Sequence, residues 1–104
     1  MATYQILSWH GIPIGVKASD EDGQVRENLP ERYQVAIDAV AMATELTDSK
    51  SYMDGFQWAD PADRSGNAQE VARAVVAELV ADIPPRRMKE MRHELEGDLK
   101  SAAS

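Results

Sequence analysis

The stretch LPERYQVAIDAVAMATEL, from Leu29 to Leu46, constrains this chain more than any other, because it holds the clearest helical period and the largest block of apolar side chains. At about 100° per residue, Tyr33, Ala36, Ile37, Val40, Ala43 and Thr44 fall in one stripe, and Val35, Met42 and Leu46 in a second beside it. Gln34, Asp38 and Glu45 are left on a narrow polar face. A helix apolar on two sides is expected between two layers, with the rest of the chain packed on it. Pro30 suits its first turn, where a missing N–H costs nothing, and Glu31 favours the positive end of the helix dipole. Asp38 is a mediocre residue for a helix interior, so its carboxylate is expected to take a hydrogen bond from a neighbouring loop donor.

Ahead of this helix the pattern is that of strands. Thr3 to Trp9 alternates and is rich in β-branched and aromatic residues, and Ile14 to Ala18 resumes an extended pattern with Ile14 and Val16 on one face. His10 to Pro13 is expected to connect them, and SDEDG, Ser19 to Gly23, reads as a turn. Gln24 to Asn28 is expected as an edge strand. After the helix, Ser51 to Trp58 reads as a helical turn and then a strand at Gly55 to Ala59, and Ala62 to Gly66 as a polar loop. Asn67 with Glu70 three residues on resembles a capping box. A helix should start there, burying Ala72, Val75, Val76, Leu79, Val80 and Ile83, and stop at Pro84-Pro85. Arg86 to Lys100 spaces Met88, Met91, Leu95 and Leu99 as a third, amphipathic helix, and Ser101 to Ser104 should fray. The fold class is therefore α+β: a small antiparallel sheet, made of an N-terminal hairpin plus one or two short strands, packed against a central helix and followed by two C-terminal helices.

The 104 residues make one domain by length, divided here into an α+β body, 1–84, and an amphipathic helix with its tail, 85–104. Charge divides at the same point, with a formal net of −8 before residue 85 and +1 from it on. The overall −7 repels nucleic-acid phosphate and anionic membrane surfaces, so neither is an expected partner. No apolar run approaches the roughly eighteen residues of a membrane span, and the opening MATYQILSWHGIP lacks a basic region followed by a long apolar segment, so the expected location is the cytoplasm.

Cysteine is absent, which excludes thiolate catalysis, disulfides and Cys-type zinc sites. The two histidines, His10 and His93, lie in different elements without metal-ligand spacing, and Asp20, Glu21 and Asp22 lack the alternating ligands and closing glutamate of a calcium loop. No cofactor and no metal is expected, and no residue is named as catalytic. Whether the chain is an enzyme is left open, with the non-enzymatic reading favoured. Two surfaces could bind something. Trp9 and His10 at a glycine-containing loop, with Trp58, could line a ligand pocket. Met88, Met91, Leu95 and Leu99 with Arg92 make an apolar strip with a basic margin, suited to a protein partner or a second copy of the chain, with docking on the acidic body as the alternative.

The run WHGIPIGVKA, then LPERYQVAIDAVAM and SYMDGFQW, resembles the short bacterial virulence factor domain family. Trp9, Ile12, Pro13 and Val16 match its opening; Leu29, Pro30, Arg32, Ile37, Asp38, Ala41 and Met42 match its helix. The likeness covers about half the chain, Tyr4 to Trp58, and Gly15 departs from it where a polar residue is more usual. It implies a cytoplasmic accessory domain, in some cases attached to larger proteins and in others encoded beside one-carbon methyl-transfer enzymes, and it supplies no catalytic residues. The expected function is thus a non-enzymatic accessory or protein-interaction domain. The alternative is a small-molecule-binding subunit using the Trp9, His10 and Trp58 region.

Overall fold

A computed structural model describes residues 1–103, the last three by their backbone. The element order is β1 (Ala2–Trp9), β2 (Ile12–Asp20), β3 (Gly23–Asn28), α1 (Glu31–Ala43), α2 (Ser49–Asp54), β4 (Phe56–Trp58), β5 (Ala62–Arg64), α3 (Ala68–Asp82) and α4 (Pro85–Ala103). The expected α+β class is what forms. All strand pairs are antiparallel, in the order β3-β2-β1, with β4 and β5 sharing the far side of β1.

The β1–β2 connection is tighter than its composition suggested. Only His10 and Gly11 turn, with φ of 47° and 91°, since a two-residue hairpin needs positive φ at both central positions to match the twist of its strands. Pro13, read as part of the connection, lies inside β2 opposite Ser8. It is tolerated because β3 pairs with β2 only from Gly15 onward, so the strand has no neighbour on Pro13's other side. The register slips there as well: Leu7 pairs with Gly15 but Ser8 with Pro13, which leaves Ile14 in a bulge.

One sheet face carries Tyr4, Ile6, Val16, Ala18 and Val25, joined across the register, and α3 covers it. The capping box at its start is formed: Glu70 N–H donates to Asn67 Oδ1 at 2.9 Å and Asn67 N–H to Glu70 Oε1 at 3.5 Å. Asp20 Oδ2 takes the Ala68 N–H at 2.7 Å, tying this helix start to the end of β2. Ala68, Val71, Ala72 and Val75 are buried, whereas Val76, Leu79, Val80 and Ile83 are only half-buried against the core. The buried face thus lies a turn nearer the N-terminus than the periodicity indicated.

Helix α1 does have a layer on each side, β2 and α4. Its first stripe is buried at Tyr33, Ala36, Ile37 and Val40, each worth up to about 1.5–3 kcal/mol for the larger side chains. The second stripe is not: Val35 is 56% and Met42 72% exposed. The helix ends at Ala43, with Thr44 as its C-cap and Glu45 at φ 61°, so Leu46 falls outside it. The expectation that everything packs on this helix gives way to a division of labour in which α3 covers the sheet and α1 closes its end. Asp38 accepts from Tyr52 Oη at 3.0 Å, a donor carried by helix α2 and not by a loop as expected.

Two further differences concern the ends. Ala62–Arg64, read as loop, forms β5 because Thr3 pairs with Asp63 and Thr3 Oγ1 donates to Asp63 Oδ1 at 2.9 Å. Helix α4 begins at Pro85, with Met88 N–H donating to the Pro84 carbonyl at 2.9 Å. The fraying expected for Ser101 to Ser104 falls where the backbone is helical through Ala103, and Ser104 lies outside the described residues.

Candidate functional site

Alternation along the strands fixes what the second face of the sheet presents. Leu7 lies between Gly15 and Trp58, and Lys17 between Gln5 and Arg26, all on the side opposite Ile6 and Val16. The bulge adds Ile14, which was expected to share the face of Val16 but lines this other side. Helix α2 packs on β4 and roofs only the hairpin end. There Trp9, fully buried, donates from Nε1 to the Tyr52 carbonyl at 2.8 Å, and its ring lies 5.9 Å from that of Tyr52.

What remains open is a hollow of about 660 Å³ lined by Leu7, Ile14, Met53, Phe56 and Trp58, with Arg26 and Gln34 at its rim. Met53 is 62% and Trp58 38% exposed. Lys17 Nζ stands 4.3 Å from the Trp58 ring centroid and Arg26 Cζ 5.6 Å from it. Each such contact contributes about 0.5–1 kcal/mol at an exposed site. One wall is a polar bridge in which Gln34 Nε2 donates to Tyr52 Oη at 2.8 Å and to Asp38 Oδ1 at 2.9 Å. Burial, and donation of its own proton to Asp38, push the Tyr52 hydroxyl up from its ordinary pKa, so it is a fixed donor and no base.

Of the pocket expected from Trp9, His10 and Trp58, the structure brings two members together. His10 and Trp58 border a depression of about 270 Å³ with Ser8, Asp54 and Gln57. Trp9 lies in the core, its donor already satisfied. Of the strip expected on the last helix, Met88 is buried in the core and Met91, Leu95 and Leu99 pack against it. That stripe is turned onto the chain's own body, because helix α1 offers a complementary apolar side at Ala36. Arg92 lines a separate groove between α1 and α4. Lys17, Arg26, Leu7 and Met53 were not singled out from sequence. Their shared face depends on register across three strands, and the only local signal was the parity of Leu7 and Lys17 within their own strands.

The remaining displaced titrations have structural causes. Asp20 is held below the usual carboxylate range by the Ala68 and Asp22 amides, and Asp48 by the Ser51 amide and hydroxyl at the start of α2. Glu78 is lowered, and Arg64 raised, by the two-pronged bond between them, one prong at 2.9 Å. Among the described residues, no group of three or more His, Cys, Asp or Glu is placed to hold a metal ion, and no helix is long and apolar enough to cross a membrane.

A sequence family described as "Virulence factor" matches residues 7–91. Conserved virulence factor C of Staphylococcus aureus strain NCTC 8325 / PS 47 is 32% identical over 93 residues, covering 88% of this chain and 24% of that protein. Its counterpart from strain bovine RF122 / ET3-1 is 31% identical over the same extent. The chain therefore spans about a quarter of the length of these curated relatives. No solved structure matches it.

Proposed function

The chain belongs to the virulence factor family, and from that premise we propose that it is a non-enzymatic accessory domain that docks a protein through the open face of its sheet. The observation carrying this reading is Trp58, exposed at the rim of an apolar hollow and flanked by Lys17 and Arg26. Tryptophan and arginine beside an apolar depression are the residues that dominate binding energy in protein interfaces. Two cations on a chain of net −7 set this face apart, and favour a partner segment with acidic residues around an apolar anchor.

The relatives' extra length supports the same idea, for in a longer protein such a face is where the domain would meet the rest of the chain or its client. The cytoplasm, and a client within a one-carbon methyl-transfer system, are the setting that the family resemblance implies. A small-molecule site at Trp9, His10 and Trp58 draws less support, because the depression there, about 270 Å³, falls just under the range of roughly 300–1,000 Å³ usual for ligand pockets and Trp9 does not reach it.

Affinity capture with three variants tests the proposal. A specific client should be retained by Arg73→Ala, whose side chain is exposed on α3 away from the hollow, and lost with Trp58→Ala and with Lys17→Glu while both remain folded. Equal capture by all three would remove the open face from consideration.

A further inference from the structure

On the reading that the open sheet face docks a protein, we propose that the client enters as one more strand: an extended segment pairs antiparallel with the outer edge of β3 and sets an acidic residue opposite Arg26. Strand β3 forms one border of the sheet. Its ladder with β2 is regular from Gly15 to Asp20, and the strand carries neither proline nor bulge. Of the devices that keep sheet edges from pairing, only charge is present, at Arg26 and Glu27. The opposite border is blunted by brevity, being cut into two strands of three residues with Pro61 between them.

The backbone shows which groups are free to pair. Leu29 N–H donates to the Ile14 carbonyl at 2.9 Å. By the alternation of an antiparallel ladder, Glu27 and Val25 also turn their backbone groups to β2, and Gln24, Arg26 and Asn28 turn theirs outward. All three of these residues are exposed. Among the described residues, their outward amides and carbonyls have no backbone partner.

The side chains show what the segment should carry. Arg26 stands directly opposite Lys17, in a pair of the closer, non-hydrogen-bonded kind. Like charges so placed repel. Neither cation enters an ion pair among the described residues, where Arg64 joins Glu78, Arg73 joins Glu27, and Arg87 joins Glu90 and Glu94. A carboxylate opposite Arg26 on a new strand relieves that repulsion. The next position on the same face, opposite Asn28, overlooks the hollow that Asn28 lines with Ile14, Phe56 and Trp58. In antiparallel pairing an apolar residue therefore belongs two places before the acidic one. A second copy of the chain does not supply this pattern. Two β3 strands paired about a two-fold axis keep the open face on one side, so Arg26 would meet glutamine, arginine or asparagine and never an acid.

The peptide Thr-Leu-Thr-Glu-Val-Thr, capped at both ends and titrated into the isotope-labelled full chain under nuclear magnetic resonance, tests this. The Gln24, Arg26 and Asn28 amide protons should move downfield and exchange more slowly, while those of Val25 and Glu27, already bonded to β2, hold. Methylating the peptide's leucine and glutamate nitrogens should abolish binding, and methylating those of the intervening threonine and the valine should spare it, because only the first pair faces β3. Arg26→Glu should weaken binding about tenfold, with lysine in place of the peptide's glutamate restoring it and the melting temperature close to that of the parent. Client capture that is lost with Trp58→Ala, beside β3 amides that ignore the peptide, removes edge pairing alone. Protected β3 amides, beside capture that ignores Trp58→Ala, keep edge pairing and remove the open face. The proposal is also overturned if both methylated peptides bind alike, or if the same shifts grow with protein concentration and no peptide, the mark of a dimer through this edge.

Discussion

Replacing Gly55 by alanine adds one methyl group at the most crowded point of the molecule. Gly55 caps α2 at φ −75° and ψ −19°, a conformation open to any residue, so the backbone itself raises no objection. On conformational grounds alone the change would stabilise by about 0.4–1 kcal/mol, through the unfolded chain. Space decides otherwise. A Cβ built there falls on Trp9 Nε1, well inside any allowed approach, and 2.8 Å from the His10 ring. Trp9 has nowhere to retreat, being fully buried and bonded from that nitrogen to the Tyr52 carbonyl. Overpacking of this kind costs about 1–3 kcal/mol, and a buried indole N–H stripped of its acceptor costs about 1–3 more. The net expectation is a loss of about 1 to 5 kcal/mol, centred near 3. Urea unfolding followed by Trp9 fluorescence, in a Trp58→Phe background, would read it as a lower midpoint at constant slope. Gly97→Ala is the matched control: it lies in α4 with open space around its Cβ position and should gain roughly 1 kcal/mol from helix propensity. A Gly55→Ala protein as stable as the parent would refute the packing argument.

Met88→Ala should cost about 2–4 kcal/mol and deletion of residues 85–104 should lower the melting temperature by many degrees, because this helix completes the core; an unchanged melting point for the truncated chain would show that α4 is an appendage. Asp20, Asp48 and Glu78 have carboxyl pKa values below their unfolded ones, so their stabilisation is present above the ordinary carboxylate range and lost as pH falls through the lowered values. Melting temperature should therefore hold between about pH 7 and 5 and drop below about 4, with a smaller drop in Asp20→Asn, and a steeper drop in that variant would reverse the sign assigned to Asp20. Acrylamide should quench Trp58 and spare Trp9, so that Trp58→Phe leaves a blue-shifted, poorly quenched emission.

Where local physics dictated structure, the sequence was readable. Pro30 with Glu31, Asn67 with Glu70, and Pro84-Pro85 mark helix ends by backbone donors gained or missing, and each mark corresponds to an end within a residue or two. What could not be read depends on partners far away in the chain. The strand at Ala62–Arg64 exists only by pairing with Ala2 to Tyr4, and Ile14 changes face because of a register slip that no alternation pattern records. The same holds for the candidate site. Trp58 was visible as an aromatic, but Lys17 and Arg26 join it only once β1, β2 and β3 are aligned. The stripe of Val35 and Met42 misled in the opposite direction, because periodicity counts apolar residues without knowing whether a second layer reaches them.

The sharing of β1 by β4 and β5 bears on how the molecule assembles in time. The meander β1-β2-β3 closes through turns of a few residues, but the pairings of β1 with β4 and β5 join residues about fifty to sixty positions apart. Closing so long a loop is entropically expensive, and these two strands are only three residues each. During synthesis the first strand therefore waits, one side unpaired, until the segment through Arg64 has left the ribosome. Until then it is an open template for pairing with another chain. Pulse-labelled hydrogen exchange during refolding should find the amides facing β2 protected before those facing β4 and β5.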